Sequence, residues 1–185
     1  MIRISAGEFR GICIDTPGAI RPTEGKVRQA IMNILHAVIP GARVIDGFAG
    51  SGALGIEALS RGAGFTAFIE SSPEGFIAIR DNLGKLEGQL DRYRYRILNM
   101  EVERGLKALA ANEAPFDLIL LDPPYRTSEG KNALKVVSEC AILSPAGVAM
   151  VEHHRLDELP DSAGPLRRCK QHRYGDTVLS FYQAA

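Results

Sequence analysis

The sequence predicts a doubly wound α/β domain, and three observations carry that prediction. Short apolar, β-branched runs alternate with helical patterns between residues 43 and 152. The first of these runs ends in a glycine-rich turn, Asp46-Gly47-Phe48-Ala49-Gly50-Ser51-Gly52-Ala53-Leu54-Gly55. The run Phe116-Asp117-Leu118-Ile119-Leu120-Leu121 is the most apolar of all, as a central parallel strand covered on both faces must be.

In chain order, Ile2 to Gly7 and Arg10 to Ile14 read as two short strands of a hairpin around Glu8-Phe9, which Pro17-Gly18 breaks off. Thr23 is placed to cap a helix from Glu24 to about Ala37, whose Val27, Ala30, Ile31, Ile34, Leu35 and Val38 follow helical spacing. Pro40-Gly41 ends it. Arg43 to Asp46 is the first strand of the alternating region, followed by a helix from Ala53 to Ser60 with Gly62 at its C-terminal cap. Phe65 to Glu70 is a strand, and Pro73 opens a helix running to Leu86, where a first-turn proline is well tolerated. Tyr93 to Leu98 is a strand, Val102 to Ala111 a helix, and Phe116 to Leu121 the apolar strand. Lys131 to Ala141 is helical and Gly147 to Glu152 a fifth strand. Leu166 to His172 and Thr177 to Tyr182 pair as a closing antiparallel hairpin around Tyr174-Gly175-Asp176. Residues 1–40 are expected to form a hairpin-and-helix extension, and residues 41–185 the main domain.

The bulk numbers exclude several functions. A chain of 185 residues, 45% hydrophobic and 24% charged, fits one domain with a short appendage, and about 70% of its unfolded surface can be buried. Lys plus Arg and Asp plus Glu both number 22, so a generic polyanion binder is excluded and nucleic-acid contact has to come from a local basic face. No stretch approaches the roughly 18 apolar residues of a membrane span. Met1-Ile2-Arg3-Ile4-Ser5 lacks a signal peptide's apolar core. Cys13, Cys140 and Cys169 are odd in number and far apart, and with His36, His153, His154 and His172 they make no metal-ligand spacing. Free thiols in a reducing cytoplasm, no membrane and no metal are the expectation.

The sharpest chemical signal is Asp122-Pro123-Pro124-Tyr125, at the tip of the apolar strand. The Asp122 carboxylate and the Pro123 carbonyl can accept hydrogen bonds from an exocyclic –NH₂. The prolines fix the backbone and deny it a helix. Tyr125 can stack on a base, worth roughly 1–3 kcal/mol. The same four residues also make a good strand-ending turn.

The glycine turn lies at the carboxyl edge of the sheet, where parallel folds bind ligands. Gly50 to Gly55 matches G-x-G-x-x-G, which raises a dinucleotide. The strand, however, ends at Asp46, several residues before the first of those glycines. A carboxylate there repels pyrophosphate but suits the ammonium of S-adenosylmethionine, which carries no phosphate. Asp46, Gly47, Phe48, Ala49, Gly50, Gly52 and Gly55 are therefore read as cofactor-binding. Glu70, at the end of the next strand, can hold ribose hydroxyls in either ligand; Ser71 after it is read as cofactor-binding, and Asn99 and Met100 as facing the adenine.

With both motifs in place, the chain resembles class I S-adenosylmethionine-dependent methyltransferases acting on exocyclic amines. Arg21-Pro22-Thr23, Val27-Arg28, Asn33, the run from Asp46 to Ala63 and Gly175-Asp176-Thr177 are together similar to the RsmD family, over nearly the whole chain. The resemblance implies a mostly parallel, seven-stranded Rossmann-like sheet and methylation of a guanine N2 amine, at a guanine-966-type site, in the 16S rRNA of the bacterial small subunit or its assembly intermediate. It implies Asp122, Pro123 and Tyr125 as catalytic residues, and a monomer is the expected state. RNA contacts are expected from Arg10, Arg21, Thr23 and Arg28, on a face where Arg3, Arg10, Arg21, Lys26 and Arg28 outnumber Glu8, Asp15 and Glu24. Two features depart from the family pattern: Ile12-Cys13-Ile14 follows Arg10-Gly11 where Lys and Arg are usual, and Glu24-Gly25 follows Thr23.

Alternative readings stay open at this level. An N6-adenine or N4-cytosine methyltransferase would use the same tetrapeptide, although little chain remains for a separate DNA-reading domain. A glutamine methyltransferase is a further option. An NAD-dependent oxidoreductase would explain the glycines and Glu70 but not Asp122 to Tyr125, and a non-catalytic RNA binder would explain only the basic face.

Overall fold

The computed structural model describes residues 1–16, 18 and 25–185. Arg21 and Thr23, expected at the RNA face, and Glu24, the expected helix start, lie outside the described residues. The chain opens with a small hairpin, β1 (Ile2–Arg3) and β2 (Cys13–Ile14), and helix α1 (Gly25–Ile34). The alternating region then runs β3 (Arg43–Gly47), α2 (Ala53–Ser60), β4 (Phe65–Glu70), α3 (Pro73–Gly84), β5 (Tyr95–Asn99), α4 (Val102–Asn112), β6 (Phe116–Leu121), α5 (Glu129–Glu139) and β7 (Leu143–His154). It closes with β8 (Ser162–Ala163), β9 (Leu166–Tyr174) and β10 (Thr177–Ala184).

Among the described residues one sheet has the order β5-β4-β3-β6-β7-β10-β9-β8. β5 to β7 are parallel, and β10, β9 and β8 are antiparallel. The chain winds outward from β3 to β5, then returns to β6 on the other side of β3. The direction of winding reverses between β3 and β6, and a crevice opens at their carboxyl ends.

The expected fold class holds, with one strand more than the seven expected. Ser162–Ala163 adds an eighth, because two residues suffice to pair with Leu166 and Arg167 at the outer edge. β7 extends beyond Gly147–Glu152 because both His153 and His154 find partners, in Val178 and Thr177. Arg92–Arg94 forms a 3-10 turn instead of the start of a strand, since the Asp91 side chain caps it through the Tyr93 N–H.

β6 reads as continuously apolar because both its faces are covered. Ile119 and Leu121 meet α4 and α5, whereas Leu118 and Leu120 meet the α1 and α2 side. α2 is buried nearly all round. It stops where Gly62, at φ 97°, turns the chain and the Ala63 N–H reaches back to Ala58.

The strands of the N-terminal hairpin are much shorter than expected because the chain between them closes through turn hydrogen bonds, such as the Arg10 N–H to the Gly7 carbonyl and the Ile12 N–H to the Phe9 carbonyl, and is anchored to α2. The Glu8 N–H donates to the Ser60 carbonyl (2.7 Å) and the Phe9 N–H to Ser60 Oγ (2.9 Å). The Ser5 N–H and hydroxyl donate to the buried carboxylate of Glu57, which also pairs with Arg61 at 3.1 Å. Ile4, Phe9 and Ile14 complete a core cluster with Ile56, Leu59 and Phe68. This attachment puts Ile2 on the wall of the crevice.

Gly7 is the tightest point of that attachment: a Cβ there would lie 1.7 Å from the Ser60 carbonyl oxygen, at φ 86°. Gly11 has φ 93° with nothing within 4 Å. Gly7→Ala is expected to cost about 2–3 kcal/mol or to detach the hairpin, against about 1 kcal/mol for Gly11→Ala. Urea unfolding of the two variants checks it; equal losses would contradict the steric account.

Candidate active site

Gly47 pairs with Leu121 across β3 and β6, so the chain leaves both strands at one level. The Asp122 N–H points back at the Gly47 carbonyl, 3.4 Å away. The glycine turn and the Asp122-Pro123-Pro124-Tyr125 corner thereby wall a single cleft of about 520 Å³. Asp46, Phe48, Ala49 and Gly50 line it from the first side, Glu70 and Ser71 from the end of β4, and Asp122, Pro123 and Tyr125 from the end of β6.

Gly47, Gly52 and Gly55 shape the wall without lining it. Gly52 precedes α2 at φ 78°. A Cβ on Gly55 would lie 2.3 Å from the Phe68 ring and 2.9 Å from Asp46 Oδ2. Its bare N–H instead donates to that oxygen at 2.8 Å. Phe48, at φ 60°, holds a left-handed conformation that costs a non-glycine residue about 1 kcal/mol.

The N–H groups of the turn are already directed at carboxylates. Gly55 serves Asp46, and Gly50 donates to Glu70 Oε2 at 2.8 Å. Glu70 Oε1 takes the Ser72 N–H, also at 2.8 Å. A dinucleotide pyrophosphate would need such N–H groups for itself, so the G-x-G-x-x-G match here serves packing and carboxylate placement. The remaining lone pairs of Glu70 can still accept ribose hydroxyls.

Asn99 and Met100, expected to face the adenine, are not among the residues that line this cleft. The Asn99 amide donates to the Glu70 and Ser71 carbonyls, bracing the turn that carries them. Met100 packs against the core cluster that contains Ile69 and Val102.

The cleft is acidic. Glu101, Glu129 and Glu152 join Asp46, Glu70 and Asp122 on its walls, and no Lys or Arg is among its described lining residues. Burial pushes the Asp46 carboxyl well above the usual carboxylate range. The Gly55 N–H opposes that shift, and the charges of Asp122 and Glu70 add to it. Glu129 is pushed up by burial, then by Glu101 and Glu103. Such walls suit a ligand bearing cationic sulfonium and ammonium groups and disfavour a phosphate-bearing one. Among the described residues no group of three or more His, Cys, Asp or Glu could hold a metal ion. No helix among them is long and apolar enough to cross a membrane.

The corner has supports that local sequence did not reveal. The Tyr125 hydroxyl donates to Glu152 Oε1 at 2.9 Å and lies 2.7 Å from Thr177 Oγ1. Its ring packs on that of His154 with centroids 5.7 Å apart. A signal for Glu152 did exist: Asp46, Glu70, Asp122 and Glu152 each stand at the carboxyl end of a parallel strand or directly after it. Leu121 faces Val151, which puts Glu152 level with Asp122. Thr177 belongs to the Gly175-Asp176-Thr177 motif of the family resemblance, but nothing local tied it to Tyr125, which it meets from the antiparallel hairpin.

Of the expected RNA contacts, Arg10 is exposed. Arg28 is corrected: it is 8% exposed and donates to the Arg3 carbonyl at 3.4 Å. Burial lowers its pKa, and the nearby charge of Glu57 raises it. Its guanidinium supports the hairpin and is not offered on the surface. Among the other arginines, Arg94 donates to the carbonyls of Leu59 and Ala63 and pairs with Glu8, and Arg96 pairs with Glu113.

A family model described as conserved hypothetical protein 95 matches residues 2–183. The chain is 35% identical over 184 residues to Bacillus subtilis YlbH, described provisionally as an rRNA methyltransferase, covering 98% of both chains. It is 33% identical over 185 residues to ribosomal RNA small subunit methyltransferase D of Escherichia coli K12, covering 98% of this chain and 89% of that one. Among solved structures, Escherichia coli YhhF, described provisionally as a methyltransferase, superposes with a TM-score of 0.82 at 29% identity, covering 99% of this chain and 97% of that one.

The raised pKa of Asp46 has a consequence for stability. The folded protein holds this proton more tightly than the unfolded chain does. The stabilising contribution is therefore full in acid, below the ordinary carboxyl pKa of about 4, and is lost as pH rises through the folded value. Asp46→Asn cannot ionise, so the stability of the unmodified protein relative to this variant is expected to fall as pH rises from about 4 to 7. Urea titrations across that range check it, and a pH-independent difference would contradict the sign.

Proposed function

We propose that this chain, which belongs to the RsmD family of methyltransferases, transfers a methyl group from S-adenosylmethionine to the N2 amine of a guanine in small-subunit 16S rRNA, at a position of the guanine-966 type. The observation that carries the proposal is the single cleft shared by the turn after β3 and the Asp122 corner after β6. S-adenosylmethionine supplies, when bound, an electrophilic methyl group on a sulfonium.

Asp46 and Glu70 would hold the donor, Asp46 near its cationic groups and Glu70 at its ribose, with the backbone from Phe48 to Gly50 beneath it. The guanine N2 lone pair is conjugated into the ring and is a poor nucleophile. Hydrogen bonds from its two N–H groups to the Asp122 carboxylate and the Pro123 carbonyl would draw the nitrogen toward tetrahedral geometry and stabilise the positive charge growing on it. Tyr125 would hold the base plane by stacking. Orientation of two reactants in this way can supply on the order of 7–11 kcal/mol. The methylated nitrogen is cationic and acidic, so its proton leaves readily to Asp122 or to water, and no histidine base is needed.

The exposed cations Arg3, Arg10 and Lys26 would meet RNA phosphates, with the substrate either the small subunit or its assembly intermediate. The test is incubation of undermethylated small subunits with labelled methyl donor, followed by nucleoside mapping. Label in N2-methylguanosine is expected, and label in an adenine or cytosine product, or none, would overturn the assignment. Asp122→Ala is expected to lower turnover by about 10²–10³-fold while its S-adenosylmethionine affinity, measured by calorimetry, stays within a few-fold. Near-normal turnover would remove Asp122 from the mechanism.

A further inference from the structure

We propose that Thr177 and Glu152 are positioning residues that set the plane of the Tyr125 ring for the incoming base, an inference that rests on the function proposed above. Tyr125 has one phenolic proton. Its Oη donates that proton to Glu152 Oε1 at 2.9 Å. The contact of 2.7 Å with Thr177 is then made by the threonine proton, donated to the phenolic oxygen. The phenol is thus a donor on one side and an acceptor on the other, and the ring is held from its far end. Its ring face is the part offered to a base.

Both partners belong to the sheet and not to the loop that carries Tyr125. On β10, Thr177 stands opposite His154 and Leu179 opposite Glu152, so the register of β10 on β7 sets the spacing of the two oxygens. Glu152 and Thr177 are buried, 3% and 6% exposed. His154 contributes its ring, tilted 56° to that of Tyr125. The backbone beyond Tyr125 is tied to the same strand end. Arg126, at φ 60°, donates its N–H to Asp157 Oδ2, which also accepts the His154 N–H. A loop aromatic held at its backbone and at its hydroxyl has little conformational freedom left to lose when a base stacks on it.

Four variants test the inference. Thr177→Val and Tyr125→Phe each remove the Thr177–phenol hydrogen bond. Thr177→Val is expected to raise the KM for undermethylated small subunits about three- to tenfold, the worth of one such bond, with kcat and S-adenosylmethionine affinity within twofold of the unmodified protein. Tyr125→Phe also loses the bond to Glu152 and is expected to raise the KM by at least as much, with S-adenosylmethionine affinity within twofold. The double variant is expected to be no worse than Tyr125→Phe alone, and Thr177→Ser to recover most of the loss. Additive effects in the double variant, or a matching loss of donor affinity, would overturn the proposal. If Thr177→Val does not fold, Tyr125→Phe must still show the KM rise. If the unmodified protein methylates no rRNA, the functional reading fails by itself. The clamp is then decided by the Tyr125 ¹³Cζ resonance, which must move in folded Thr177→Val and stay in Thr177→Ser; an unmoved signal in the valine variant overturns it.

Discussion

The lateral pairing of β3 with β6 governs the cleft. Because Gly47 faces Leu121, Asp46 and Asp122 stand two register positions apart on neighbouring strands, and Asp46 feels the charge of Asp122. A shift of this register by one residue would turn every side chain of β6 to the opposite face, exchanging Ile119 and Leu121 for Leu118 and Leu120 against the helices. The apolar burial of β6 on both faces therefore specifies the position of a carboxylate at its tip. Packing energy, far larger than any single polar contact at the site, does the positioning.

The cleft gathers carboxylates that, in the absence of a cation, repel one another. Two of them are held by backbone N–H groups of the glycine turn, Gly55 on Asp46 and Gly50 on Glu70. That arrangement explains why the turn needs glycine where it does. At Gly55 a side chain would displace both the Phe68 ring and the carboxylate itself. The same bonds take the N–H donors that a phosphate would require, so one local geometry both prepares the site for a cationic ligand and rejects an anionic one. The raised proton affinity of Asp46 is the cost of this preparation, carried by the ligand-free protein.

The N-terminal hairpin illustrates a different economy. Its strands are too short to be stable by themselves, and its order comes from polar groups of α2 and α3: Glu57, Ser60 and the buried Asn82, whose amide binds the Asp15 backbone and the Ser51 carbonyl. Asn82 thereby links the hairpin to the glycine turn. Arg28 belongs to the same scaffold, donating to Arg3 and feeling the charge of Glu57. A basic residue on a helix looks alike in sequence whether it meets solvent or supports a neighbour. Only the packing of α1 distinguishes the two.

Local pattern determined most of the fold. The alternation of apolar runs and helical spacing is a short-range property, so the elements from Arg43 to Leu121 fall close to where periodicity and capping residues put them, the 3-10 turn at Arg92–Arg94 apart, with Ser72-Pro73 and Gly62 as their punctuation. The two motifs of the cleft were legible for the same reason, since each is a contiguous turn after a strand and a doubly wound sheet brings such turns together. The tertiary structure decided what depends on distant partners: the tie from Tyr125 to Glu152 and Thr177, the turn-bracing place of Asn99, the burial of Arg28 and the eighth strand at Ser162–Ala163. Thr177 lies 52 residues from Tyr125 along the chain. No periodicity reaches that far, and only the register of an antiparallel strand on a parallel sheet sets which hydroxyl meets which ring.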